Sequence, residues 1–312
     1  MSKIVISTSS FDLDSNPALQ RLRAQEIHLT SNPHGRKLTE DEILALLGND
    51  TVALLAGVEP LTERVLTAAA GSLRVIARCG TGLDNVDLAT ASRLNIKVLN
   101  TPAAPAQAVA ELTLGLILSS LRHICQTDRL IRQGEWPRTQ GRLLAGKTVG
   151  IIGCGHIGQR VARLCLAFDA HVIAHDPYPQ QMPEGVTAAS LETLLQQADL
   201  VSLHLPYSAQ VHHLLNAHTI ARMKPGAILV NTARGGLIDE HALHNALQTG
   251  HLGAAALDCF EQEPYAGPLC ASERMILSSH IGSLAREARQ RMELEAAENL
   301  WQGLVEAGVV HA

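Results

Sequence analysis

Short apolar runs rich in Val, Ile, Leu and Ala alternate along this chain with stretches whose apolar residues recur every three to four positions. The first pattern reads as strands buried on both faces, the second as helices that cover them. Early strands are predicted at residues 3–7, 52–57, 74–79 and 97–100, with helices at 41–47, 61–70 and 88–94. A long helical stretch, residues 106–134, follows, and then a basic, loop-like segment at 136–147. A second series of strands is predicted at 148–153, 171–176, 200–205, 227–231, 254–258 and 275–279, and the chain closes on an Ala/Glu/Leu-rich helix, 284–307. Alternation of this kind implies an α/β fold with parallel sheets.

Two series in 312 residues imply two doubly wound parallel-sheet domains. The six strands of the second series suit a dinucleotide-binding sheet. We therefore place a nucleotide-binding domain at 101–284, inserted in a substrate (catalytic) domain made of 1–100 and 285–312. With aromatic residues at only 3%, the cores must be packed mainly by Ala, Leu, Ile and Val. A net charge of −5 provides no general attraction to nucleic acid or to anionic membrane, and neither partner is expected. The N-terminus shows no signal-peptide pattern. The most apolar helical stretch, 112–121, is interrupted by Thr113, Ser119 and Ser120 and is too short to span a bilayer. The six cysteines form no CxxC pair and read as buried free thiols of a cytoplasmic protein. There is no HExxH, and His241 and His244 read as a solvated helix face, so no metal is expected.

The segment Gly153-Cys-Gly155-His-Ile-Gly158 lies between an apolar strand and a helical pattern. In such a turn Gly153 permits the tight bend, Gly155 lets backbone approach a pyrophosphate, and Gly158 lets helix and strand pack closely. A diphosphate then rests on the positively polarised helix N-terminus. Asp176, 18 residues after Gly158, ends the next predicted strand, where a carboxylate accepts the adenine-ribose hydroxyls and repels a 2′-phosphate. The cofactor expected is NAD.

Three later segments carry Arg234, Asp258 with Glu263, and His280 at predicted C-terminal strand ends, the edge on which doubly wound sheets bind ligands. Hydride transfer at C2 of a 2-hydroxy acid needs a group that exchanges the hydroxyl proton, and histidine titrates close to working pH. A carboxylate on its other ring nitrogen fixes the tautomer, and an arginine polarises the keto oxygen.

GCGHIG, TARGGLIDEHAL, ALDCFEQEP and SSHIGS together resemble the motifs of the D-isomer-specific 2-hydroxyacid dehydrogenases. The segment CGTGLDNVDLATASRLNIKVLNTP resembles the phosphoglycerate dehydrogenase branch. The resemblance runs from about residue 50 to 300. It implies a Rossmann nucleotide domain inserted in a flavodoxin-like substrate domain. By resemblance, Arg234 binds and polarises the substrate, His280 donates or accepts the proton, and Glu263 tunes His280. The amides of Thr81 and Gly82 would hold the substrate carboxylate, with Arg78 beside them as a further anion contact. His156, Ile157, Asp176, Thr232, Ala233, Arg234, Asp258, His280 and Gly282 map onto cofactor contacts. A homodimer formed around residues 101–146 is implied as well.

The match departs from the phosphoglycerate branch in two places. The chain ends at Ala312, so a short form without the C-terminal regulatory domains is expected. Leu55-Ala56-Gly57-Val58 stands where some phosphoglycerate enzymes carry a basic phosphate-binding residue. The expected activity is therefore interconversion of a small D-2-hydroxy acid and its 2-keto acid, hydroxypyruvate or glyoxylate being examples. D-3-phosphoglycerate dehydrogenase is the rival reading within the class, and an NAD(H)-sensing corepressor-like scaffold the rival from another.

Overall fold

The computed structural model describes residues 2–178 and 182–311. It divides into two compact units, Met1–Pro105 with Ala285–Ala312, and Ala106–Leu284.

In the first unit, β1 (Lys3–Ile6), α1 (Pro17–Ala24), β2 (His28–Ser31), α2 (Glu40–Leu46), β3 (Thr51–Ala56), α3 (Glu63–Ala69), β4 (Val75–Arg78), α4 (Leu88–Arg93) and β5 (Lys97–Leu99) follow one another. The five strands form a parallel sheet in the order β2-β1-β3-β4-β5, the flavodoxin-like winding. Alternate side chains enter opposite cores: Ile4 and Ile6 join Leu19 and Leu22 of α1, whereas Val5 joins Ile43, Val65 and Leu66.

The second unit holds α5 (Ala106–Arg122), α6 (Ile124–Arg132), β6 (Thr148–Ile152), α7 (His156–Ala167), β7 (His171–His175), β8 (Val186–Ala188), α8 (Leu191–Gln197), β9 (Leu200–Leu203), α9 (Ala217–Ile220), β10 (Ala227–Asn231), α10 (Glu240–Gln248), β11 (Leu252–Leu257) and β12 (Met275–Leu277). Its parallel sheet runs β12-β11-β10-β9-β6-β7-β8, a Rossmann winding with one added strand. Chain order reverses between β9 and β6, which is where such sheets open a ligand crevice. The last helix, α11 (Arg286–Glu306), belongs to the first unit, where Met292, Ala296, Leu300 and Leu304 pack on the sheet.

Three expectations need correction. The helix expected over 106–134 is two helices, because His123 adopts a left-handed conformation (φ 55°) that ends one and starts the other. Strands β2 and β8 carry no apolar alternation (HLTS and VTA) and are largely exposed edge strands, so periodicity does not reveal them. Cys79, Cys154, Cys165 and Cys259 are buried free thiols, but Cys125 and Cys270 are free and exposed. No single described helix is long and apolar enough to cross a membrane.

Candidate active site

The turn after β6 has the dimensions a dinucleotide needs. Gly153 sits at φ 89°, its N–H bonded to the His175 carbonyl at 2.8 Å, and a Cβ there would stand 2.7 Å from the His204 carbonyl carbon. A Cβ on Gly158 would stand 2.0 Å from the Gly153 oxygen, so α7 can rest on the turn only without one. Gly155 is different: nothing lies within 4 Å of the Cβ position, and as N-cap of the 12-residue α7 it supplies no side-chain hydrogen bond. An open backbone shelf at an uncapped helix N-terminus, with the amides of His156 and Ile157 in its first turn, fits a diphosphate.

Asp176, past the end of β7, accepts hydrogen bonds from Cys154 N (2.8 Å) and Tyr178 N (2.9 Å). Each carboxylate oxygen has a second lone pair, so the group can still accept ribose hydroxyls. His204, at the end of β9, is bonded through Nε2 to Ser202 Oγ at 2.8 Å, and burial pushes it down to about 3, so it stays neutral.

Three catalytic segments leave neighbouring parallel strands at one edge, since Asn231 pairs with Leu257 and Leu257 with Leu277. After β10, buried Asn231 folds its own loop: Oδ1 accepts from Ala233 N (2.9 Å) and Nδ2 donates to the Arg234 carbonyl (2.8 Å). Thr113 Oγ1 donates to the Val109 carbonyl at 2.7 Å, so the 2.8 Å contact with Thr232 has Thr232 as donor. Arg234 is half-buried, with Nη1 on the Ala233 carbonyl at 2.7 Å.

After β11, Asp258 is 1% exposed and binds the third segment: Oδ1 accepts from Ser278 Oγ (2.6 Å) and Ile281 N (2.9 Å), Oδ2 from Gly282 N (2.8 Å). These bonds bracket His280, whose left-handed backbone (φ 56°) costs about 1–2 kcal/mol. Hydrogen bonds to a charged acceptor contribute about 1.5–3 kcal/mol each, so three of them outweigh that cost. The His280 ring meets Glu263, with Nδ1 at 2.9 and 3.0 Å from the two carboxylate oxygens. Glu263 is itself held by Phe260 N at 3.1 Å. An ionised carboxylate only accepts, so Nδ1 carries the hydrogen and Nε2 is the nitrogen available for proton exchange.

In the first unit, the loop after β4 is braced from within. Arg78 is 8% exposed and donates Nη1 to the Cys79 carbonyl at 3.0 Å, while Asn100 Nδ2 donates to the Thr81 carbonyl at 2.6 Å. The amides of Thr81 and Gly82 lie on this loop, and both residues are half-buried.

In the second unit, then, the fold joins Glu263 to His280, Asp258 to Gly282 and the loop around His280, and Asn231 to the Arg234 loop. Asn231, Thr113 and Ser278 were not singled out from sequence. A polar residue at a strand end before Ala-Arg-Gly-Gly was the available signal for Asn231.

An open glycine shelf at a helix N-terminus and a carboxylate-supported histidine, both in the second unit, are features suited to a nucleotide-dependent oxidoreductase. Residues 114–282 match the family model of the D-isomer specific 2-hydroxyacid dehydrogenase NAD binding domain. The chain is 38% identical over 298 residues to a hydroxypyruvate reductase of Thermotoga maritima, covering 94% of this chain and 96% of that one. It is 40% identical to a D-3-phosphoglycerate dehydrogenase of Mycobacterium leprae over 80% of its own length, but spans only 48% of that protein. A solved glyoxylate reductase from Paecilomyes thermophila superposes with a TM-score of 0.88 at 31% identity, covering 98% of this chain and 96% of that one. The chain belongs to the D-isomer-specific 2-hydroxyacid dehydrogenase family and is an NAD-dependent enzyme of it.

Proposed function

We propose that this enzyme reduces a small unphosphorylated 2-keto acid, hydroxypyruvate or glyoxylate, to the D-2-hydroxy acid. The observation that carries this reading is the His280–Glu263 pair on the sheet edge that also bears Arg234. The bound nicotinamide supplies the hydride. His280 Nε2 gives the proton to the developing alkoxide, Glu263 stabilises the imidazolium that precedes the transfer, and Arg234 polarises the keto oxygen. Asp258 holds the backbone that presents His280.

The end of β3 argues against a phosphorylated substrate. Glu59 is 1% exposed and takes the Gly57 amide on both carboxylate oxygens at 3.1 Å, with Ser7 Oγ on the same carboxylate. That carboxylate is used up on its own loop, no basic residue stands in Leu55-Ala56-Gly57-Val58 to hold a phosphate, and Arg78 spends a guanidinium nitrogen on its own loop. With purified protein, NADH oxidation is expected to show kcat/KM for hydroxypyruvate or glyoxylate at least about tenfold above phosphohydroxypyruvate, about 1.4 kcal/mol of transition-state discrimination. The reverse order would make it a phosphoglycerate-type enzyme. Tight NADH binding without turnover of any keto acid would remove the catalytic reading.

A homodimer through the region 101–146 belongs to the same proposal. No residue of α6 is buried, and Ile124, Ile131, Trp136 and Leu143 are 50–80% exposed, an apolar surface of the kind that marks protein interfaces. Sedimentation equilibrium is expected to give a dimer, and Ile131→Asp with Leu143→Asp to give monomers; a monomeric wild type would refute the assignment. The exposed free thiols Cys125 and Cys270 suit a reducing compartment and support a cytoplasmic location.

A further inference from the structure

The second unit contains another cluster of ligand-type side chains, made by His212, His213 and Glu261. Their candidate donor atoms all lie within 4.8 Å of one another. The two imidazoles are stacked, with centroids 3.8 Å apart and planes 25° apart, and His213 Nε2 contacts Glu261 Oε1 directly. Tyr207 Oη bonds His212 Nδ1 at 3.2 Å, the kind of outer partner that orients a ligand imidazole. His213 holds a left-handed conformation (φ 50°), with its N–H on the Gly236 carbonyl at 2.8 Å. Bulky non-glycine residues keep such a backbone only where their surroundings impose it. Nearby, Glu240 Oε1 accepts from Glu261 N at 2.9 Å, which fixes the backbone of that ligand. Two imidazole nitrogens and one carboxylate oxygen gathered in one place favour a cation.

We propose that His212, His213 and Glu261 form a binding site for a borderline divalent transition metal of the Zn²⁺, Co²⁺ and Ni²⁺ class. Two nitrogens and one carboxylate oxygen match the three-protein-ligand shell such ions accept, with water completing the tetrahedron. Donors in that shell lie about 3.4 Å apart, so an ion entering here turns the two imidazoles out of their stack and takes the place of the proton between His213 and Glu261. Hard ions such as Mg²⁺ prefer oxygen and are poorly served. Both sides of the cluster reach the catalytic loops: His213 is bonded to the Gly236 carbonyl, next to Arg234-Gly235, and Glu261 lies between Phe260 and Glu263. The ion is thus a strut between the loop of Arg234 and the loop of Glu263.

The test is calorimetric titration of the tag-free, full-length protein with ZnCl₂, alongside His212→Ala, Glu261→Gln and His280→Asn. One ion per chain is expected for wild type and for His280→Asn, which separates this site from the His280–Glu263 pair. His212→Ala and Glu261→Gln are expected to bind at least about tenfold more weakly, the lower end of what even outer-shell changes cost. Zn²⁺ is also expected to raise the melting temperature of wild type but not of Glu261→Gln, a near-isosteric change that preserves the fold. Co²⁺ should give the visible absorption of a tetrahedral nitrogen/oxygen site, lost in both cluster variants. No Zn²⁺ uptake by wild type would leave only an ion pair there and overturn the proposal. So would undiminished affinity in His212→Ala and Glu261→Gln.

Discussion

Replacing His280 with Ala is expected to lower kcat by about 10²–10⁴-fold, the range contributed by a positioned general acid, while NADH binding followed by fluorescence survives. The backbone complicates that experiment. His280 sits at φ 56°, where Ala is disfavoured, so His280→Ala could disturb the loop as well as remove the imidazole. Asn tolerates the left-handed region and cannot exchange a proton at neutral pH. His280→Asn should therefore keep the melting temperature close to wild type and lose activity as His280→Ala does. Activity within about tenfold of wild type in His280→Asn would assign the proton to another group.

Gly235→Ala should be nearly as damaging although the residue has no chemistry of its own. Its Cβ would stand 1.9 Å from the Phe260 carbonyl carbon, 2.2 Å from its oxygen and 2.3 Å from Glu261 N. These are backbone atoms and cannot swing aside. The Arg234 loop would be pushed off the segment that carries Glu263. A displacement of about 1 Å at a reacting constellation costs on the order of 10²-fold in rate. Overpacking of this kind also destabilises by about 1–3 kcal/mol. Kinetics with a melting curve separate the two effects: kcat/KM should fall about 10²-fold in protein that is still folded at the assay temperature. A rate within about twofold of wild type would mean that the two loops need not be docked for catalysis.

Much of this was legible in the residues because parallel strands buried on both faces are written as uninterrupted apolar runs. VALLA, VIA, VGII and AILV announced β3, β4, β6 and β10, and the residue after each run, Gly57, Arg78, Gly153 or Asn231, marked the strand end. The edge strands β5 and β12 still show apolar runs, but the exposed edges HLTS and VTA do not, which is why the pattern does not announce them. The break at His123 was hidden for a different reason. Apolar spacing continues across it, and a single left-handed residue leaves no mark on periodicity. Arg234, Glu263 and His280 stand out in the sequence as candidates because the proposed hydride chemistry calls for those side chains. Asn231 and Ser278 only hold backbone, and short polar residues at strand ends look alike whether or not they do so. His213 and Glu261 lie 48 positions apart and meet only in three dimensions.

The winding of the second sheet divides the work in a way useful to an engineer. The glycine turn and Asp176 hang from β6 and β7, on one flank of the reversal, while Asn231, Asp258 and His280 hang from β10, β11 and β12 on the other. Asp176 accepts from Cys154 N and Tyr178 N, on its own flank, and sites without shared partners behave additively. On the proposed assignments, the choice between coenzymes rests with Asp176 on the β7 flank and proton handling with His280 on the other, so substitutions at Asp176 are expected to change nucleotide preference while leaving the proton-handling half intact.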